Sequence, residues 1–187
     1  MTREDRRQKL ESYGRAPAQL AGALRQFPKK MWLYKTSAER WSIHEIILHL
    51  ADNEANAYIY CRRVIAEPGS RVLAYNPALW AGSLGYFHQS TKEALEIIKR
   101  LRRMTYQVLI SLPETVWSHA VACPEGCTTT LDDWLDRQER QIPHHVDQMK
   151  ENFTIWAKTH PPRKSASSPT KNPSAIGNHY LTLSART

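Results

Sequence analysis

Trp41-Ser-Ile-His-Glu-Ile-Ile-Leu-His-Leu-Ala-Asp-Asn-Glu54 reads as the opening of an amphipathic helix that carries its own start signal. Ser42 followed three residues later by Glu45 forms a capping box, in which each side chain satisfies a backbone N–H that the first turn leaves unpaired. Trp41 before the cap and Ile46 at the fourth helical position form a hydrophobic staple. The apolar stripe continues through Ile43, Ile47, Leu50, Ala57, Cys61 and Val64 until Pro68-Gly69 stops it. At about 100° per residue, His49 and Asn53 fall on the flank of that stripe and Glu54 falls inside it. A core-facing carboxylate is costly unless paired, so Glu54 implies either a Glu–Arg pair at the bundle rim or a carboxylate that serves a site.

About ninety residues later a second segment repeats the pattern: Arg137-Gln-Glu-Arg-Gln-Ile-Pro-His-His-Val-Asp-Gln-Met149. Here Gln138 and His145 fall within the apolar stripe and Gln141 on its flank. Gln141 and His145 are spaced i, i+4 and project to one side. His144 points about 100° away and reads as exposed. Pro143 removes the hydrogen bond to the carbonyl of residue 139. If the two helices face each other, His49, Gln141 and His145 converge. Imidazole is the commonest metal-ligating side chain, and bundle metal sites are built from facing helices.

The rest of the chain supplies two more helices. Residues 16–26, through Leu20, Ala23 and Leu24, form one that Pro28 ends. Residues 83–111, through Leu84, Phe87, Ala94, Ile98 and Leu109, form another. The helix of the second segment extends over 130–157, with Thr130 and Asp133 as a further capping box. His88 projects well off the apolar stripe of its helix. The expectation is therefore an all-α four-helix bundle over residues 16–157. Two long connections, 67–82 and 112–128, are long enough to include a crossover. A charged, frayed segment, 1–15, precedes it and a disordered basic tail, 158–187, follows. No strand pattern is convincing.

Bulk properties narrow the function. The net charge is +8, but five of the 26 Lys and Arg lie in residues 158–187, which hold no Asp or Glu. That leaves 21 bases against 18 acids in the remainder, a charge of +3. The excess is a solvated tail and not a patterned face, which argues against a nucleic-acid partner. No stretch approaches the roughly 18 apolar residues of a membrane span, and the N-terminus lacks a signal-peptide core, so a cytoplasmic location is expected. Cys61 reads as a core residue; Cys123 and Cys127 flank a Pro-Glu-Gly turn and do not by themselves complete a zinc site.

Two of these segments resemble one family. Trp41-Ser-x-x-Glu-Ile-Ile-x-His49-Leu-Ala-Asp-x-Glu54 and His145-x-x-Gln148-Met are similar to the motifs of the DinB-like (DNA-damage-inducible B-like) superfamily, and the resemblance covers roughly residues 17–157. It implies an up-down-down-up four-helix bundle, often a homodimer. It also implies a divalent metal, zinc or nickel, held by three histidines: one in the His-Leu-Ala-Asp segment and two at i, i+4 on the last helix. Relatives include thiol S-transferases, a maleylpyruvate isomerase branch and metal-dependent hydrolases. Carried over, the ligands are His49 and His145, with Gln141 in place of the middle histidine. Asn53 and Gln138 stand as supporting neighbours and Glu54 as a candidate catalytic carboxylate. The resemblance thus implies a metal-dependent enzyme acting on a small-molecule substrate or low-molecular-weight thiol through an altered triad. The alternative is a degenerate, non-catalytic bundle that acts as a binding protein. A neutral amide oxygen is a weaker ligand than imidazole for zinc or nickel.

Overall fold

The computed structural model describes residues 1–73, 75–123 and 126–161. Its helices are α1 (Arg3–Leu24), α2 (Ile43–Ala66), α3 (Pro77–Ser83), α4 (Thr91–Leu109) and α5 (Leu131–Thr159). An antiparallel hairpin of β1 (Ala120–Ala122) and β2 (Thr128–Thr130) precedes α5. Both expected capping boxes are present: Ser42 with Glu45 opens α2, and Thr130 with Asp133 opens α5.

Helices α1, α2, α4 and α5 form the four-helix bundle. α1 and α2 each pack on both α4 and α5, so they stand at opposite corners. Two apolar clusters fix the directions. One joins Leu20 and Leu24 late in α1, Ile43 and Ile46 at the start of α2, Ile98 early in α4 and Met149 and Trp156 late in α5. The other joins Tyr13 in the first half of α1, Cys61 and Val64 late in α2, Leu109 ending α4, and Leu131 and Trp134 opening α5. α2 and α4 therefore run parallel, and α1 and α5 run against them, which is the up-down-down-up order. Between the clusters lies a buried polar layer that includes Asn53, Glu54, Arg102, Thr105 and Gln138.

Four expectations change. The N-terminal segment is ordered helix: Thr2 caps α1, and Arg6 is buried against Asp132 at 2.7 Å, with Glu114 beside it and its guanidinium 4.7 Å from the Trp117 ring centre. The helix expected over 83–111 is broken, because Gly85 adopts a left-handed φ of 58° and Ser90 caps a fresh start at α4. The connection after α2 holds a helix of its own, α3, which Asn76 caps and Pro77 begins. The second connection contains the hairpin. β1 also bonds to the stretch after α2, through Gly69 N–H to Ala120 O (2.8 Å) and Val72 N–H to Ala122 O (3.1 Å). Helix α5 continues unbroken past Pro143 to Thr159; the rest of the expected tail, 162–187, lies outside the described residues. Among the described residues no helix is long and apolar enough to cross a membrane.

Candidate metal centre and adjoining pocket

Because α2 and α5 run antiparallel, positions advancing along one meet positions receding along the other. His49 and His145 meet at one level, and Asn53 and Gln138 meet at the next, toward the second apolar cluster. The two imidazole rings are tilted with centres 4.8 Å apart, and both side chains are buried. Trp41 covers His49 from the other side at 4.7 Å, and Asn152 of α5 donates to the Trp41 carbonyl at 2.8 Å, tying the start of α2 to α5.

The hydrogen bonds set the chemistry of each ring. His145 Nδ1 is 2.8 Å from Gln148 Oε1, and the Gln148 amide nitrogen is 3.0 Å from His144 Nε2. An amide oxygen can only accept, so His145 Nδ1 carries the proton and Nε2 keeps its lone pair. His49 Nδ1 is buried with no hydrogen-bond partner among the described residues. Burial, reinforced by His145, lowers the His49 pKa to about 4. Burial also lowers that of His145, against the opposing bond from Gln148. Both rings are therefore neutral near pH 7, the form in which imidazole ligates metal.

Gln141 lies one turn before His145, half-buried, on the wall of a cavity. Asn53 and Gln138 are joined by a 3.1 Å side-chain bond and line the same cavity. Among the described residues no group of three or more His, Cys, Asp or Glu is placed to hold a metal ion, so the histidine pair has no third ligand of those four types there. The two imidazoles fit a metal: one has an unsatisfied buried nitrogen and the other a fixed tautomer.

Glu54 sits elsewhere. It is buried in the polar layer against the guanidinium of Arg102, which is itself wholly buried and lies 4.1 Å from the Tyr13 ring centre. Burial opposes the Arg102 charge, but Glu54 outweighs it and raises the guanidinium pKa. The Glu–Arg pair read from the sequence is thus central and not at the rim. His88 is exposed against Phe87, away from the histidine pair, and His144 is exposed as its projection implied.

The cavity, about 570 Å³, opens between α2, the 72–80 stretch and α5. Trp80, Trp134 and Tyr60 give it apolar walls, three of its four amides, Asn53, Gln138 and Gln141, form its end toward the histidines, and Arg63 and Arg137 stand exposed at its lip. Three buried donors among its lining residues, Tyr60 Oη, Tyr75 Oη and Trp134 Nε1, have no hydrogen-bond partner among the described residues. The size and the few polar groups on apolar walls suit a small-molecule site.

Comparison with known proteins places this architecture. The DinB superfamily profile matches residues 12–149. The chain belongs to the DinB superfamily. A relative from Oceanobacillus iheyensis, named as a candidate metal-dependent hydrolase, is 24% identical over 106 residues, 57% of this chain and 61% of that one. The match thus spans less than two thirds of that relative's length. Among solved structures, YfiT from Bacillus subtilis, described as a probable metal-dependent hydrolase with an unusual four-helix bundle topology, superimposes with a TM-score of 0.78 at 17% identity, over 84% of this chain and 90% of its own. A mycothiol-dependent maleylpyruvate isomerase superimposes at 0.61 and 14% identity, over 76% of this chain and 60% of its own. At these identities the structural likenesses bear on the fold alone, and the DinB bundle with its parallel α2 and α4 is that fold.

Proposed function

We propose that this DinB-superfamily protein is a metal-dependent enzyme that binds a divalent ion, zinc or nickel, through His49, His145 and the Gln141 amide oxygen. It acts by hydrolysis or thiol transfer on a small molecule seated in the adjoining cavity. The observation that carries this reading is the unpartnered, buried Nδ1 of His49 beside a His145 ring whose tautomer Gln148 holds. Leaving a buried polar atom unsatisfied costs about 1–3 kcal/mol, and a ligand to that nitrogen would remove the deficit. The names of the relatives support a metal-dependent chemistry.

When bound, the ion would act as a Lewis acid and lower the pKa of a water or thiol next to it. The chain's own residues do the rest. Gln148 orients His145, Trp41 shields His49 from water, and the Asn53–Gln138 bridge sets the floor on which a substrate rests. Tyr75 Oη and Trp134 Nε1 are donors for acceptor groups on that substrate. Glu54 is committed to Arg102, so its role in this reading is to position α2 against α4 and not to move a proton.

Metal analysis after loading with zinc or nickel tests the reading. The wild type is expected to hold about one ion per chain. His49→Ala and His145→Ala should each weaken binding at least about tenfold, and Gln141→His should tighten it, since imidazole is the better ligand. A wild type that takes up neither metal overturns the proposal. The absence of a third His, Cys, Asp or Glu among the described residues favours a second reading, a bundle that no longer binds metal. In that case only Gln141→His gains an ion, and chelators leave the wild-type melting temperature unchanged.

A further inference from the structure

We infer that Cys123 and Cys127 form a second reactive site, a dithiol at the end of the hairpin that exchanges with low-molecular-weight disulfides. The hairpin register pairs Ala120 with Thr130, Val121 with Thr129 and Ala122 with Thr128. One step further it sets Cys123 opposite Cys127, and the bond from Cys123 N–H to Cys127 O (2.8 Å) shows that the pairing continues. Opposed residues of that kind have Cα atoms about 5.5 Å apart, within the range a disulfide spans. Side chains alternate along a strand, so both sulfurs lie on the face that carries Val121 and Thr129. Gly126 has a left-handed φ of 82°, which glycine adopts without steric cost.

The two thiols differ in ways that suit exchange. Cys127 is exposed and Cys123 is buried. Cys123 Sγ is 3.0 Å from Thr129 Oγ1, and hydrogen bonds from Cys127 first and then Thr129, with Arg137 nearby, lower its pKa. Tyr60 and Arg137, which act on Cys123, also line the cavity, and β1 holds the 69–72 stretch that leads into the cavity wall. By contrast, burial among apolar side chains pushes the Cys61 thiol up to about 12, which leaves it inert.

In the first step Cys127 passes its proton to Cys123, the partner in its hydrogen bond, and its sulfur attacks one sulfur of an external disulfide, forming a mixed disulfide and expelling one thiolate. In the second, the Cys123 thiolate attacks the Cys127 sulfur, closing the Cys123–Cys127 bond and expelling the second thiolate. Both leaving thiolates take protons, so the dithiol loses two electrons and the external disulfide becomes two thiols. The site does not depend on the metal.

Treatment with oxidised glutathione, followed by thiol counting, intact mass and peptide mapping, tests this. The wild type is expected to lose two of its three thiols, to carry no glutathione, and to yield a cross-linked 123–127 peptide. Cys123→Ser should trap one glutathione on Cys127, and Cys127→Ser should stay largely unmodified at Cys123. Retention of all three thiols in the wild type overturns the proposal, as does a stable glutathione adduct that Cys123 does not resolve.

Discussion

At the centre of the bundle the Arg102 side chain is wholly buried and meets Glu54, which is 1% exposed. Desolvating both charges is expensive, and their attraction with the Tyr13 ring offsets it only while both are present. Arg102→Met should therefore destabilise the protein by about 3–5 kcal/mol in urea unfolding, because it strands a buried carboxylate. The double variant Glu54→Leu/Arg102→Met should recover much of that loss, and a double variant worse than either single one would show that the pair is a net stabiliser. Histidine adds a pH dependence to the metal-free protein. The folded His49 pKa of about 4 lies below its unfolded value, so the fold prefers the neutral ring. The stability this represents is full above the unfolded pKa near 6.5 and is lost as pH falls toward about 4, on the order of 2 kcal/mol. The melting temperature of the wild type should fall relative to that of His49→Phe as pH drops through that window; parallel curves would exclude the effect. Sequence periodicity already placed Gln138, Glu54 and His145 on buried faces and His49 at the edge of one. It did not identify Arg102, although Ala94, Ile98, Thr105 and Leu109 put that residue on the stripe of α4. An arginine in such a stripe reads as a solvated interruption until its partner across the bundle is known. Gln148 was visible as a motif residue, but its bond to His145 depends on side-chain rotamers that no spacing encodes.

Elements with local signals were legible, and those fixed by distant contacts were not. The capping boxes of α2 and α5 depend on residues three apart, and both are formed. Ser42→Ala should cost about 1 kcal/mol in equilibrium unfolding, since Glu45 N–H and the Ser42 hydroxyl lose each other. The first half of α1 is charged and weakly patterned, and what holds it is the Arg6 contact with Asp132 and Glu114 together with Tyr13 against Trp134, ring centres 5.8 Å apart. These partners lie more than a hundred residues away. Arg6→Ala should cost roughly 1–3 kcal/mol, more than a surface ion pair, because it leaves Asp132 without its charge-assisted bonds. Removing residues 1–13 should reduce the melting temperature far more, by opening the second apolar cluster; a truncated chain as stable as the full one would restore the frayed-segment reading.

At the scale of the molecule, the parallel course of α2 and α4 has a functional consequence. A chain that leaves the end of α2 must travel back along the bundle before α4 can begin, so residues 67–90 form an external return and not a short turn. That return, pinned to β1 and stiffened by α3, supplies one side of the cavity, and α2 and α5 supply the other. Chain direction is absent from hydrophobic periodicity, which is why two long connections were foreseen but not that the first of them, against α2 and α5, walls the cavity. A fluorescent apolar anion such as anilinonaphthalene sulfonate probes it without metal. Its apolar body should lie against Trp80 and Trp134, and its sulfonate near Arg63 and Arg137, neither of which has an ion-pair partner among the described residues. Trp80→Ala should weaken binding about tenfold through lost apolar contact. Arg137→Ala should flatten the dependence of binding on salt, because a screened surface cation contributes mainly at low ionic strength. Fluorescence titrations unchanged in both variants would place the dye, and hence the accessible apolar surface, somewhere other than this return.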